Sequence, residues 1–260
     1  MARIFITGSS DGLGLMAARL LMNQQHEVVL HARNEARAAD ALGSLPEASG
    51  VVLGDLSTLT GMAQVATAAD AMGRFDAVIH NAAVGSDERR IVTEDGLCHV
   101  FAINVLAPYL LTAKIEMPDR LVYLSSGMHR GGNPSLDDLQ WERRGWSGWQ
   151  AYSDSKLFVT VVAAAVAAHR PGVLSNAVDP GWVATKMGGP SAPDDLGQGS
   201  MTQAWLAVSD DPAAKVSGAF FHHMQTTKPH PAMHDHRLQE DLLGACAALS
   251  GVTLFSAGEA

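Results

Sequence analysis

The run Arg3-Ile4-Phe5-Ile6 is followed at once by Thr7-Gly8-Ser9-Ser10-Asp11-Gly12-Leu13-Gly14, and then by Leu15-Met16-Ala17-Ala18-Arg19-Leu20-Leu21. Strand, glycine turn and helix in that order constrain the rest of the fold, because they aim free backbone N–H groups and a positive helix end at one point in space. Such a point binds an anion, and a diphosphate suits it. Each glycine has a mechanical role: Gly8 permits the turn, Gly12 lets a phosphate approach the backbone, and Gly14 lets the helix pack close to the sheet. Ser9, Ser10 and Leu13 belong to the same loop and are candidate cofactor-binding residues with these glycines.

A glycine loop alone is weak, and the alternation that follows strengthens it. Apolar runs at 27–31, 50–53, 75–80, 120–125 and 173–178 are separated by helical patterns. Nearly continuous apolar strands between helices predict a parallel sheet covered on both faces. A last strand at 218–221 is expected to close one edge. No repeat, low-complexity tract or long linker interrupts the pattern, so residues 1–260 read as a single doubly wound α/β domain of Rossmann type.

Two segments break the rhythm. Residues 127–148 contain Gly131-Gly132-Asn133-Pro134 and then Trp141 and Trp146, with Trp149 just beyond, and residues 181–199 are rich in Gly, Pro and Asp. Ligands in such sheets bind beyond the carboxyl ends of the strands, so both segments are expected to wall a substrate pocket. Each tryptophan suits a loop anchor as well as a substrate contact.

The chain has 260 residues, 47% of them hydrophobic, which is ample for a large core. A formal charge of −9 without a basic cluster argues against a nucleic-acid partner. Cys98 and Cys246 lie far apart, with no C-x-x-C motif, and are expected to be buried free thiols of a reduced compartment. The longest apolar run, 157–168, is 12 residues, short of the roughly 20 that span a bilayer. With no leader expected before the first strand, the reading is a cytoplasmic protein without a membrane partner. Alanines 163–165, 167 and 168 suggest a buried sheet-covering helix, a subunit interface, or both.

Tyr152-Ser153-Asp154-Ser155-Lys156 carries the chemistry. Positions i and i+4 of a helix lie about 5–6 Å apart, so an ammonium can stand beside a phenol. A tyrosine with a reference pKa of about 10 is a poor base near neutrality. A cation at about 5 Å, with an effective dielectric near 20, contributes roughly 3 kcal/mol, or about two pKa units towards phenolate. Ser126 ends the strand before this helix and competes with Ser125, since neighbours on a strand face opposite ways. His222, His223, His230, His234 and His236 match no standard zinc spacing, and no metal is expected.

The glycine loop, Asn81-Ala82-Ala83, Asn104, Ser126, Tyr152-x-x-x-Lys156 and Asp179-Pro180-Gly181 follow one another in that order. In this the chain resembles the short-chain dehydrogenase/reductase family, from residue 4 to residue 251. His31-Ala32-Arg33-Asn34, the Tyr-x-x-Ser-Lys form of the motif and the Arg237-Leu238-Gln239-Glu240-Asp241-Leu242-Leu243 segment are most similar to the branch of retinol dehydrogenases and bacterial ketoreductases.

The resemblance implies a catalytic tetrad of Asn104, Ser126, Tyr152 and Lys156. Tyr152 would give a proton to a carbonyl oxygen, Ser126 would hydrogen-bond that oxygen, and Asn104 would hold a water that relays protons to Lys156. It also places Asn81 and Ala82 beside the cofactor, Asp55 and Leu56 beside adenine, and the segment from Pro180 at the nicotinamide amide, through the Val183 backbone and the Thr185 hydroxyl. Asn81 could equally order backbone between strands four and five. Arg33, where an acid would accept ribose hydroxyls, suits a 2′-phosphate, with Ser9 or Ser10 as further donors. NADP(H) is therefore expected in preference to NAD(H), with a fairly apolar carbonyl or alcohol as substrate. The alanine-rich face after Lys156 matches the helix through which relatives pair, so a homo-oligomer, dimer or tetramer, is expected. Ala83 for the usual glycine, Asp11 in the phosphate loop and Asp154 in the catalytic motif depart from the pattern, and none removes a reacting group. The rival readings are a cofactor-sensing binding protein without turnover and, fitting less well, a sugar-nucleotide epimerase.

Overall fold

Ile4, Phe5 and Ile6 are completely buried, as a strand covered on both faces must be. The computed structural model describes residues 1–87 and 89–255. In chain order they form β1 (Arg3–Ile6), α1 (Gly12–Asn23), β2 (Glu27–Ala32), α2 (Glu35–Ser44), β3 (Gly50–Leu53), α3 (Leu59–Asp70) and β4 (Ala77–His80). A rod follows, made of the short α4 (His99–Phe101), a π-helical turn (Ala102–Leu106) and α5 (Ala107–Lys114), and then β5 (Arg120–Leu124). A 3-10 turn (Gly127–Gly131), α6 (Gly148–His169), β6 (Leu174–Asp179), α7 (Leu196–Val208), β7 (Phe220–His222), β8 (Gln225–Thr226) and α8 (His236–Ser250) complete it.

Strand order across the sheet is β3-β2-β1-β4-β5-β6-β7-β8. Pairing is parallel from β3 to β7. Order reverses between β1 and β4, so the ends of those strands splay into a crevice. Caps set the helix starts: the Asp11, Asn34 and Thr58 side chains accept N–H groups at the first turns of α1, α2 and α3.

Two expectations change. The strand expected at 75–80 begins at Ala77, because Phe75 packs its ring 5.5 Å from Phe5 and Asp76 Oδ2 accepts the Arg3 N–H at 2.7 Å. The edge expected at 218–221 is not an edge. β7 turns through His223 and Met224, both at positive φ (47° and 61°), into antiparallel β8. Nothing in the composition of 222–226 favours that two-residue turn, whose usual sequence signal is Asn or Gly.

The alanine-rich stretch after Lys156 is partly interior: α8 packs on α6, Ala163, Ala164 and Ala165 are buried within this one chain, and Ala168 is exposed. The Tyr109 hydroxyl donates to Val252 O at 2.8 Å, tying the C-terminal segment over α5. The apolar run at 157–168 also proves part of a 22-residue helix that is long and apolar enough to cross a bilayer, with 83% of its apolar window buried in the core.

Candidate active site

The crevice at the order reversal is a cleft of about 610 Å³. Its floor is the glycine loop. Gly8 has φ 62°, and a Cβ there would lie 2.8 Å from Ala82 Cα. A Cβ on Gly14 would lie 2.4 Å from Asn81 Nδ2 and 2.7 Å from Gly8 O, so only glycine lets α1 come this close. Gly12, at φ 53°, has nothing within 4 Å of its missing Cβ. That is the open approach a phosphate needs.

Asn81 locks the loop in place. Its Nδ2 donates to Thr7 O (3.0 Å) and Gly8 O (3.1 Å), and Thr7 Oγ1 accepts the N–H groups of Asn81 and Ala82 at 3.0 Å each. Asn81 therefore joins the ends of β1 and β4, not of strands four and five. Gly8, Ser10, Gly12 and Leu13 line the cleft, as do Asn81 and Ala82, whereas Gly14 supports it from behind. Ser9 does not reach it. Its hydroxyl is completely buried, donates to Ile6 O at 2.8 Å and accepts the His31 N–H at 2.8 Å, so it is no phosphate donor.

Arg33, Asp55 and Leu56 line the far end. Among the described residues the Arg33 guanidinium has no hydrogen-bond or ion-pair partner. Asp11 caps α1 through the Gly12 N–H at 2.8 Å and pairs with Arg37 at 3.2 Å and with Lys186. Its carboxyl is drawn down to about 2, chiefly by Lys186 against the cost of burial, with Gly12 and Arg37 adding to it. The acid inside the phosphate loop is thereby neutralised.

At the opposite end stand the reacting groups. Tyr152 and Lys156 line the cleft on one face of α6. Lys156 is 2% exposed, its Nζ donates to Leu124 O at 2.8 Å, and it lies 5.5 Å from the Tyr152 ring centroid. Ser126 hydrogen-bonds the Tyr152 phenol. Ser125 lines the cleft too, but its hydroxyl donates to Lys156 O at 2.8 Å. Both serines lie past the end of β5 at Leu124, and Ser126 is the one bonded to the phenol.

The electrostatics reverse the expectation from spacing. Burial pushes the Tyr152 phenol up to about 12, the Ser126 hydrogen bond pulls it down, and the Asp179 carboxylate pushes it further up. Burial also lowers the Lys156 amine to about 7. Desolvation outweighs the roughly two units of Coulombic help expected from the spacing.

Asn104 sits in the π-helical turn. Its Oδ1 accepts the Val84 N–H (2.9 Å), and its Nδ2 donates to Val84 O (3.1 Å) and Ser155 Oγ (3.0 Å). Both Nδ2 protons are used and Oδ1 holds the Val84 N–H, so the side chain is fixed in the turn. Pro180 and Thr185 line the cleft, and Thr185 Oγ1 accepts the Gly188 N–H at 3.1 Å, which leaves its own proton to donate. Val183 is 3% exposed and lies behind them.

Several residues hold the site through contacts that the sequence did not reveal. His31 is buried under the glycine loop, where Nδ1 accepts the Gly8 N–H at 2.9 Å and Nε2 bonds Gly54 O at 3.0 Å. Burial lowers its pKa to about 4, so the ring is neutral, as that acceptor role requires. A polar residue in an otherwise apolar strand was the available signal. Asp154 is 2% exposed and accepts from Asn133 N–H, Gln150 Nε2 and Arg144 Nη2, each at 2.7 Å, which ties the 127–148 segment to α6. Trp141 and Trp146 anchor that segment edge to face, 5.3 Å apart, while Trp149 is exposed. Of the histidines, His222 faces Asp179 and the His230 N–H donates to His129 Nε2.

Comparison with known proteins places this geometry in context. The family model described as short chain dehydrogenase matches residues 2–120. The short-chain dehydrogenase chyC of Penicillium rubens is 39% identical over 257 residues, covering 98% of this chain and 99% of that protein. Human retinol dehydrogenase 13 is 28% identical over 284 residues, covering 96% and 84%. Among solved structures, a blue fluorescent protein from a metagenomic library, in complex with NADPH, superimposes with a TM-score of 0.66 at 21% identity, covering 85% of this chain and 95% of that one.

Proposed function

Because the chain belongs to the short-chain dehydrogenase family, in its retinol dehydrogenase-like branch, and is therefore a carbonyl/alcohol oxidoreductase, we propose that it reduces a fairly apolar small carbonyl compound with NADPH. The observation that carries this reading is the convergence of Tyr152 and Lys156 on the cleft that the glycine loop floors, with Ser126 bonded to the Tyr152 phenol. The open approach at Gly12 and the unpartnered Arg33 at the far end fit a dinucleotide with a 2′-phosphate. The Gly8–Gly14 loop, Asn81, Arg33, Asp55 and Thr185 would hold it, and when bound it supplies the hydride.

The chain's own residues manage the proton. With its phenol pushed to about 12, Tyr152 stays protonated at neutral pH and acts as the donor. Ser126 polarises the carbonyl oxygen through the hydroxyl that now bonds Tyr152. As the phenol gives up its proton, negative charge develops on a ring whose centroid lies 5.5 Å from an amine that carries a proton below about pH 7, and this attraction stabilises the product of the transfer. Asn104 fixes Val84 and Ser155 around α6 and serves as a positioning residue. Met187 in the cleft wall and the exposed Trp182 on the same segment support an apolar substrate.

NADPH consumption over a panel of apolar ketones and aldehydes tests the reading. Turnover with at least one class supports it, and tight NADPH binding without consumption by any of them favours a cofactor sensor. Cofactor choice has its own test. Exchange of Arg33 for Asp is expected to weaken NADPH binding roughly 100-fold, through loss of a charge-assisted pair and added repulsion, and to change NADH binding by less than about threefold. Equal losses for both, read by fluorescence titration, would count against the phosphate role.

A further inference from the structure

Strand order puts β2 between β1 and β3, so a side chain near the carboxyl end of β2 can reach the turn that leaves each neighbour. His31 stands at that end, and its ring reaches both turns. Nδ1 accepts the Gly8 N–H at 2.9 Å, and Nε2 bonds Gly54 O at 3.0 Å. One tautomer serves both contacts, with Nδ1 bare and the proton on Nε2 donated to the Gly54 carbonyl. Burial keeps the ring neutral, lowering it to about 4 against the Gly54 bond and the Asp55 charge. The His31 backbone grips the same loop: its N–H donates to Ser9 Oγ at 2.8 Å, and its carbonyl accepts the Ser9 N–H at 3.2 Å.

Both ends of this brace are firm. Gly8, at φ 62°, has its carbonyl held by Asn81 Nδ2 at 3.1 Å, and Ala82 Cα blocks any Cβ on its other side. Gly54 donates its N–H to Ala32 O at 3.2 Å, and a Cβ there would lie 2.5 Å from Val65 Cγ2 and 3.0 Å from Gly61 O of α3. Gly8 lines the cleft, as do His31 itself and the two residues that follow Gly54, Asp55 and Leu56. With both ring nitrogens committed, His31 has no polar side-chain atom left for a ligand. Its action passes through the two turns it joins.

We propose that His31 is a positioning residue for the dinucleotide: it braces Gly8 against Gly54, fixes the gap between the glycine loop and Asp55-Leu56, and so sets the slot for the adenosine half of the cofactor. The inference rests on the proposed function, in which the diphosphate lies at Gly12 and adenine beside Asp55 and Leu56. Its signature differs from that of Arg33. The slot serves the part that NADPH and NADH share, whereas a guanidinium at the far end answers only to the 2′-phosphate. Loss of the brace therefore weakens both cofactors alike.

His31→Leu keeps a side chain of similar bulk and removes both ring hydrogen bonds. Fluorescence titration of the full-length protein is expected to show NADPH and NADH each bound about 30-fold more weakly, the effect of two lost hydrogen bonds. 2′,5′-ADP, which carries the adenosine half alone, should lose by the same factor. Where turnover is found, the KM for NADPH should carry the loss while kcat stays within about threefold. His31→Asn, whose Oδ1 stands in for the Nδ1 acceptor, is expected to recover most of the affinity even if its Tm is no higher than that of His31→Leu. Affinity that merely follows Tm in the two variants would mark His31 as structural and overturn the proposal, as would an unchanged affinity in His31→Leu or a loss confined to NADPH. Should His31→Leu not fold, His31→Ala carries the same expectation. Nitrogen NMR of the wild-type protein needs no variant: a scalar coupling between the Gly8 amide nitrogen and His31 Nδ1 is expected, and a protonated Nδ1 without that coupling would equally overturn the brace. Wild-type protein that binds neither cofactor would strike the proposed function and this inference with it. Wild-type protein that binds them no better than His31→Leu does would strike this inference alone.

Discussion

Tyr152→Phe is expected to lower kcat/KM for carbonyl reduction about 10³-fold, the typical contribution of a positioned general acid. The change removes one oxygen and keeps the ring, so NADPH affinity should stay within about threefold of the parent. Steady-state rates paired with a cofactor titration separate the two, and a loss under tenfold would remove Tyr152 from the reaction. The same site predicts a pH dependence. Lys156, lowered to about 7 by burial, is neutral above that pH and charged below it. Only the charged form favours the developing phenolate, so reduction should quicken as pH falls through about 7. Lys156→Met should abolish that limb, and a limb that survives in this variant must come from another group.

Gly14→Ala carries the second large effect. A single methyl there would meet Asn81 Nδ2 at 2.4 Å, Gly8 O at 2.7 Å and Ser9 Cα at 2.9 Å. None of these can yield cheaply, because Asn81 is tied to Thr7 and Gly8, and the other two atoms are backbone of the loop itself. Overpacking of this kind costs about 1–3 kcal/mol. In a chain of this size 2 kcal/mol corresponds to roughly 4–8 °C in Tm. NADPH affinity should fall more than about tenfold, since relief of the clash must move the loop that binds phosphate. Gly12→Ala makes the informative contrast: nothing crowds its Cβ, so its cost comes from φ 53° and from the blocked phosphate approach. A Gly14→Ala protein with unchanged Tm and affinity would mean that α1 does not need this close approach.

The contrast between those glycines shows what could be read from sequence. Strand, turn and helix lie within residues 3–23, and their patterns are local, so the loop and the role of each glycine were legible. The i, i+4 spacing of Tyr152 and Lys156 was legible for the same reason. Contacts between distant segments were not. His31 meets Gly8 and Gly54, each 23 residues away, and Lys186 meets Asp11 across 175. Asp154 looked like an intruder in the catalytic motif until its three partners from 133–150 were in view. Electrostatics suffered most. Spacing supplied the distance between an amine and a phenol but not their burial, and burial sets the direction of both pKa changes. The alanine-rich stretch is a related case, since a smooth helix surface does not say whether its cover comes from a second subunit or from α8 of the same chain, and α8 packs on this helix.

Transfer of deuterium from NADPH labelled at the nicotinamide carbon that gives up hydride decides most directly between reductase and sensor. With wild-type protein and an apolar ketone, the alcohol product should carry one deuterium on its carbinol carbon, and Tyr152→Phe should form it about 10³-fold more slowly. Labelled NADPH recovered bound and intact after prolonged incubation with every carbonyl offered would contradict the proposed reaction.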